Sequence, residues 1–305
     1  MSPIKIHQPV LLEETLDLLA VKAGQYYLDA TFGRGGHTQA ILDRGALVIA
    51  LDFDQLAIAA GQENFKQALV QNKLILIKDN FKNLTEIITN LQKTQEIQLA
   101  GILFDFGTST EQLTSNERGF SFNAEPNDLL DMRMDQELGV KAGDLLIVLS
   151  EKQLAQLLFE YGGESQARQI AKKVAQVKKD APNSLQYSVT LLKIIEQVKG
   201  QRSGKLHPAT KTFQALRIAV NDELNNIELA LPSAFHLLKN SSALDKRLVC
   251  IAFHEGEDRL VKSFFRKQAD QHLAKLLTKK AISAKIQELS RNPRARSAKL
   301  RALAV

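Results

Sequence analysis

The sequence predicts an α/β fold built on a parallel sheet, and three observations carry that prediction. Short apolar runs alternate with helix-patterned segments through the first hundred residues, a glycine-rich turn follows the first run, and the alternation resumes after a long helical stretch. The runs are YYLDA from Tyr26, ALVIAL from Ala46, LILI from Leu74 and AGILFDF from Ala100. Between them, HTQAILDRG, QLAIAAGQENFKQAL and KNLTEIITNLQ place their apolar residues at helical spacing. Parallel strands need a crossover between them, and these segments supply it.

From about Leu145 to Val198 the pattern is polar and helical, as in EKQLAQLLFEYGGESQARQIAKKVAQVKK and SVTLLKIIEQVKG, with no strand run. This reads as a helical insertion. A long helix, TKTFQALRIAVNDELNNIELAL, follows from Thr210, and KRLVCIAFH from Lys246 gives a fifth strand. AKLLTKKAI and SAKLRALAV, separated by the turn-like RNPRAR, predict a terminal hairpin on one sheet edge. The expected division is a core over 1–112, an inserted helical domain over 113–206, and the rest of the core over 207–305.

A chain of 305 residues with 44% hydrophobic content can bury a substantial core. Its 40 basic and 34 acidic residues leave a net charge of +6, which admits nucleic acid as a partner but also suits ordinary solubility. The single cysteine, Cys250, excludes a disulfide framework and a cysteine-built zinc site. The N-terminal stretch lacks a signal-peptide core and no segment has the apolar length of a membrane span, so a soluble cytoplasmic protein without membrane association is expected.

The turn LDATFGRGGHTQA, from Leu28, carries Gly33, Gly35 and Gly36 between strand and helix, where a ligand can approach the backbone closely. Asp52 ends the second strand, where a carboxylate can accept bonds from both ribose hydroxyls of NAD or S-adenosylmethionine. The plainer reading makes the glycines a tight turn and Asp52 a helix cap. Thr38 occupies the position that the dinucleotide fingerprint gives to a small residue, which leans away from NAD. Asp29, just ahead of the loop, either receives an amino-bearing group or braces the turn.

GILFDFGTSTEQL puts Asp105 at the end of the fourth strand, followed by Gly107, Thr108, Ser109 and Thr110. Methylating an exocyclic amine requires acceptors that hold the amine protons, and Asp105 and Ser109 are the candidates; a capped turn is the plain alternative. NERGFSFNAEPNDLLDMRMD interleaves Arg118, Asp131, Arg133 and Asp135 with Phe120, Phe122, Leu130 and Met132, so its charges are expected to be paired or to face a ligand.

In the helix from Thr210, Lys211 and Arg217 would meet phosphates, and Gln214 and Asn221 would read a base or support the cofactor, beside a core role for Phe213 and Leu216. His254, Glu257 and Asp258 follow the fifth strand, where a helix-starting acidic pair is the plain reading and no obligatory metal is expected. Lys172, Lys173, Lys178 and Lys179 either grip RNA or form a solvated helix face.

Nine stretches in order, HQPVLLEE, DATFGRGGH, ALDFDQ, GILFDFGTSTEQL, ERGFSF, LDMRMD, HPATKTFQALRIAVNDEL, FHEGEDRLVK and NPRARSAKLR, make the chain resemble the RsmH (MraW) family of ribosomal RNA cytosine-N4 methyltransferases. The resemblance implies a class I S-adenosylmethionine-dependent, Rossmann-like sheet with an inserted helical substrate-recognition domain. It implies N4 methylation of a cytidine in the decoding region of 16S rRNA; the expected partner is that RNA within an assembled or nearly assembled 30S particle, and the sequence leaves monomer and homodimer both open. The resemblance places Gly35, Gly36, His37, Asp52, Phe81, Asp105 and Gln112 at the cofactor; the residues themselves offer Arg133, Lys211, Gln214, Arg217, Asn221 and His254 as the substrate-side candidates if RNA binds. The chain departs from the family pattern at Thr110 and Glu111, where Ser and Pro are usual. An NAD-dependent oxidoreductase and a non-catalytic RNA-binding assembly factor are the competing readings.

Overall fold

The computed structural model describes residues 9–107, 119–200 and 207–305. Two compact units emerge, Met1–Gly107 with Leu224–Val305, and Thr108–Glu223.

The first unit is built on seven strands: β1 Tyr26–Asp29, β2 Leu47–Asp52, β3 Leu74–Lys78, β4 Leu99–Asp105, β5 Arg247–Ala252, β6 Lys275–Leu276 and β7 Lys299–Ala304. Their order is β3-β2-β1-β4-β5-β7-β6. β1 to β5 run parallel, while β7 lies antiparallel to β5 and β6 antiparallel to β7. The two tail segments thus pair as expected, with β7 set inside the edge. Five helices accompany the first half: α1 Leu12–Leu19, α2 Gly36–Asp43, α3 Gln55–Asn64, α4 Lys66–Val70 and α5 Leu84–Gln92. The segment read as one helix after β2 divides at Phe65, whose ring is buried edge-on against Phe32 at 5.5 Å.

The second unit contains α6 Ala142–Val148, α7 Glu151–Gly162, α8 Ala167–Asp180, α9 Ser188–Lys199 and α10 Thr210–Asn221. It closes later than the sequence predicts, at 223/224 instead of 206/207. The reason is packing: α10 buries Phe213, Ala215 and Leu216 and lies so close to α7 that a Cβ on Gly162 would strike the Lys211 carbonyl. The long helix expected from Thr210 is two helices, because Asp222 adopts φ 52, a left-handed conformation that aspartate tolerates better than most residues. Arg217 spans the corner, donating from Nε and Nη2 to Glu223 at 2.8 and 2.9 Å.

The chain then returns through α11 Glu223–Asn240, α12 Glu255–Asp270 and α13 Ile286–Arg291. Successive strand residues point to opposite faces, and both faces are covered. Leu28, Ile49, Leu51, Ile102, Phe104 and Leu248 pack under Ile227, Leu231 and Phe235 of α11 and Phe265 of α12. Val48, Ala50, Leu103, Val249 and Ile251 pack under Leu16 and Leu19 of α1 and Ile41 of α2. The order reverses between β1 and β4, so the crevice beyond their carboxyl ends is where such a sheet takes a ligand.

Candidate functional site

β1 delivers Asp29 to that crevice, and the chain turns through Gly33 (φ 55) and Gly35 (φ 73) into α2. Gly35 admits no side chain: an added Cβ would sit 2.6 Å from the Phe65 ring and 2.7 Å from the Phe32 ring. Gly33 N–H donates to Asp52 Oδ2 at 2.7 Å, and Asp54 N–H donates to Oδ1 at 2.8 Å. One carboxylate therefore staples the turn after β1 to the turn after β2. Burial pushes the Asp52 carboxyl up to about 6, with the Asp54 and Asp29 charges adding to the effect and the two N–H bonds opposing it. Each oxygen keeps a further lone pair, so a diol presented here finds two acceptors.

Asp29 is buried, at 1% exposure, and both its oxygens are engaged. Oδ1 accepts from Thr31 N–H at 3.2 Å and Oδ2 from the Thr38 hydroxyl at 2.7 Å, which is the bracing role of the two foreseen. Burial raises its carboxyl, and the neighbouring His37 and the Thr38 bond pull the other way. The Thr31 hydroxyl in turn accepts from Asp105 N–H at 2.6 Å, tying the end of β4 to the loop. Neither Thr31 nor the bracing role of Thr38 is evident from the sequence, where hydroxyls two and nine residues after Asp29 are the only signal.

His37 lies in the first turn of α2 at 6% exposure, with Nε2 3.4 Å from Asp105 Oδ2. Both ring nitrogens and Asp105 Oδ1 are buried without a hydrogen-bond partner. Unsatisfied polar atoms at this depth are costly, and three side by side mark a place where a ligand bearing donors and acceptors completes the structure. Phe81, after β3, lies 5.6 Å from Phe104 and 5.9 Å from Phe106, and the latter two stack at 5.3 Å. Phe104 and Phe106 enlarge the apolar wall expected from Phe81 alone; their spacing of two about Asp105 was the signal that could have found them. The residues expected at the cofactor thus gather at the carboxyl ends of β1, β2, β3 and β4, apart from Gln112, which with Ser109 falls outside the described residues.

His254 follows β5 as the N-cap of α12. Its Nδ1 accepts from Glu257 N–H at 3.4 Å, while Glu257 Oε2 accepts from the Phe253 and His254 N–H groups at 2.7 and 3.2 Å. The plain helix-start reading accounts for these bonds; His254 Nε2 is buried without a hydrogen-bond partner, 3.1 Å from Glu257 Oε1. Asp258 bonds Arg301 Nε at 2.7 Å and Lys299 Nζ at 3.4 Å.

In the inserted unit, side chains expected on the substrate side are engaged locally. Arg133 donates from Nε and Nη2 to Asp131 at 2.7 and 2.8 Å, and from Nη1 to the Gln136 and Leu138 carbonyls. Its charge is paired, one of the two outcomes foreseen. Asn221 is buried; Nδ2 donates to the Met132 carbonyl and Oδ1 accepts from Met134 N–H, both at 2.8 Å, which holds Met132 at φ 62. Asn221 therefore braces the 132–134 turn, and Arg217 is joined to Glu223. Lys211 is exposed, with Nζ on the Gly163 carbonyl at 3.0 Å, and Gln214 is half-buried on the same helix.

Strand order, the glycine turn stapled by Asp52, and the acceptor-bearing end of β4 define a class I S-adenosylmethionine-dependent methyltransferase fold. Residues 5–305 match the MraW methylase family, and the chain belongs to that family. It is 40% identical to the ribosomal RNA small subunit methyltransferase H of Desulfotalea psychrophila, over 99% of this chain and 98% of that one. Proteins of the same name from Dehalococcoides mccartyi and Rickettsia akari are 38% and 37% identical, over 97% and 98% of this chain and 85% and 98% of theirs.

Proposed function

We propose that the chain methylates small-subunit ribosomal RNA, and that the acceptor is N4 of a cytidine in the decoding region, within an assembled or nearly assembled subunit. Family membership supports the RNA substrate. The observation that carries the chemistry is the buried end of β4, where Asp105 Oδ1 and the His37 ring lack partners.

The cofactor residues fit S-adenosylmethionine, which supplies an electrophilic methyl group when bound. Asp52 would accept both ribose hydroxyls, Phe81, backed by Phe104 and Phe106, would flank the adenine, and Gly35, Gly36, His37, Asp105 and Gln112 would hold the remainder. A cytosine amine shares its lone pair with the ring, so the protein must take hydrogen bonds from its N–H groups and accept the proton that is lost. Asp105 offers the acceptor, and Ser109 follows it in the chain. The base has to leave its stack to reach this crevice, which suits an unpaired cytidine.

The test is to incubate the protein with under-methylated small subunits and labelled S-adenosylmethionine, digest the RNA and separate the nucleosides. Label is expected in N4-methylcytidine. Label in another nucleoside would overturn the N4 assignment, and no label beside an active control would overturn the reading as a whole.

A further inference from the structure

α8 has the most one-sided charge of the described helices. Over Ala167–Asp180 it carries Arg168, Lys172, Lys173, Lys178 and Lys179 against one acid, Asp180. Ala167, Ile170, Ala171 and Val174 form its buried face. At 3.6 residues per turn, Arg168, Lys172 and Lys179 fall within about 40° of one another, turned away from that face, with Lys173 about 100° further round the helix on their outer flank. All four are exposed.

Among the described residues, none of the four is paired with a carboxylate. Some exposed cations elsewhere do find one, as in Lys22 with Asp245, Lys285 with Glu14 and Arg266 with Asp270. Lys178, which the sequence grouped with these lysines, is half-buried and donates to the Leu149 carbonyl at 3.2 Å, so Arg168 takes its place in the stripe. Arg168 and Lys172 are like charges at i and i+4, and Arg168 sits in the first turn, where the helix end is already positive. The free protein is destabilised by both arrangements, and an anion laid along the helix relieves both.

We propose that this stripe is a phosphate-backbone contact for ribosomal RNA, independent of base sequence. It rests on the reading of small-subunit RNA as substrate. The stripe runs about 16 Å along the helix, enough to follow several phosphates, and the cations it presents are matched to a polyanion rather than to a single ion.

The experiment compares the wild-type chain with the variant Arg168→Gln, Lys172→Gln, Lys173→Gln, Lys179→Gln, measuring affinity for under-methylated small-subunit RNA across salt concentrations. Each phosphate contact contributes roughly 0.7 to 0.9 to the slope of log affinity against log salt. The variant is expected to bind about tenfold or more weakly at moderate salt and to lose about 2 to 3 from the slope, the upper figure if Lys173 also reaches a phosphate. S-adenosylmethionine affinity by calorimetry and far-UV circular dichroism should be unaltered, because the four side chains are exposed and lie on a helix far in sequence from the glycine turn. A second variant, with the three lysines changed to arginine, retains charge and is expected to keep the wild-type slope. Equal slopes for the wild type and the glutamine variant would overturn the proposal. A reduced slope in a chain that then labels no N4-methylcytidine would leave the stripe standing and remove the reaction.

Discussion

Asp52 combines two tasks in one carboxylate, stapling the loops after β1 and β2 while offering acceptors at the crevice. Its carboxyl, at about 6 in the folded chain against 3.8 ordinarily, binds its proton more tightly when folded. Folding stability therefore falls as pH rises from about 4 to 6, by an amount on the order of 3 kcal/mol. Ribose hydroxyls favour the ionised form, so S-adenosylmethionine affinity should strengthen through the same range. Calorimetry is expected to show binding about tenfold weaker at pH 5 than above pH 7, and Asp52→Asn should bind weakly at both with little pH dependence. A wild-type affinity that is flat from pH 5 to 7 would refute this role. At Gly35 the constraint is steric, since φ 73 and the Phe65 and Phe32 rings leave no room for a methyl group. Gly35→Ala should lower stability by about 2 kcal/mol or more in urea titration and weaken cofactor binding with it. Asp105→Ala should lose methyl transfer while keeping its unfolding midpoint within about 1 kcal/mol, because the side chain ends a strand without bonding the core.

Among the elements, the 132–134 turn shows how much can depend on one amide. Asn221 reaches it from α10 across 87 to 89 residues of sequence and bonds the backbone on both sides of Met132. Asn221→Ala should cost about 2 to 3 kcal/mol, since it strands a buried N–H and a carbonyl and releases a left-handed methionine. Hydrogen exchange should show the loss of protection centred on residues 130–138, whereas an effect confined to α10 would contradict the bracing role. This arrangement also marks the limit of what the sequence discloses. The alternation of charged and apolar residues in LDMRMD told that the segment folds against something, but the pairing of Arg133 with Asp131 and of Asn221 with the turn depends on contacts that no local pattern encodes. The five parallel strands were legible because apolar runs of that length between amphipathic segments have one economical solution. The break at Asp222 was not, because aspartate is an ordinary helix-surface residue until a tertiary corner favours its left-handed conformation. The end of the insertion moved for the same reason: amphipathicity shows that α10 has an apolar face, and only packing shows that the face belongs to α7.

Among the described residues, the carboxyls that the fold moves from their ordinary value fall into two sets whose titrations have opposite effects. Burial raises Asp29 and Asp52 at the crevice. Elsewhere partners hold carboxyls below their ordinary value: Asp131 and Asp258, where the guanidiniums of Arg133 and Arg301 outweigh burial, and Asp144, through its bond from Gln186 and the N–H of Lys141. A depressed carboxyl stabilises the fold above its ordinary range and loses that contribution only as pH falls through the folded value, below about 4. The raised pair acts the other way, since protonation relieves a buried charge, and for Asp52 that supports the fold between about 6 and 4. Acidification should therefore separate function from folding. S-adenosylmethionine binding should fade around pH 6 while far-UV circular dichroism and the unfolding midpoint hold or improve down to about pH 4, with loss of structure only below it. Replacing Asp258 by Asn removes one of the depressed carboxyls and leaves Arg301 without its partner, so that variant should be less stable at pH 7 yet show a shallower decline between pH 4 and 2. Cofactor binding and secondary structure lost together at a single pH would contradict the division, because it would mean that the crevice carboxyls and the paired carboxyls titrate as one set.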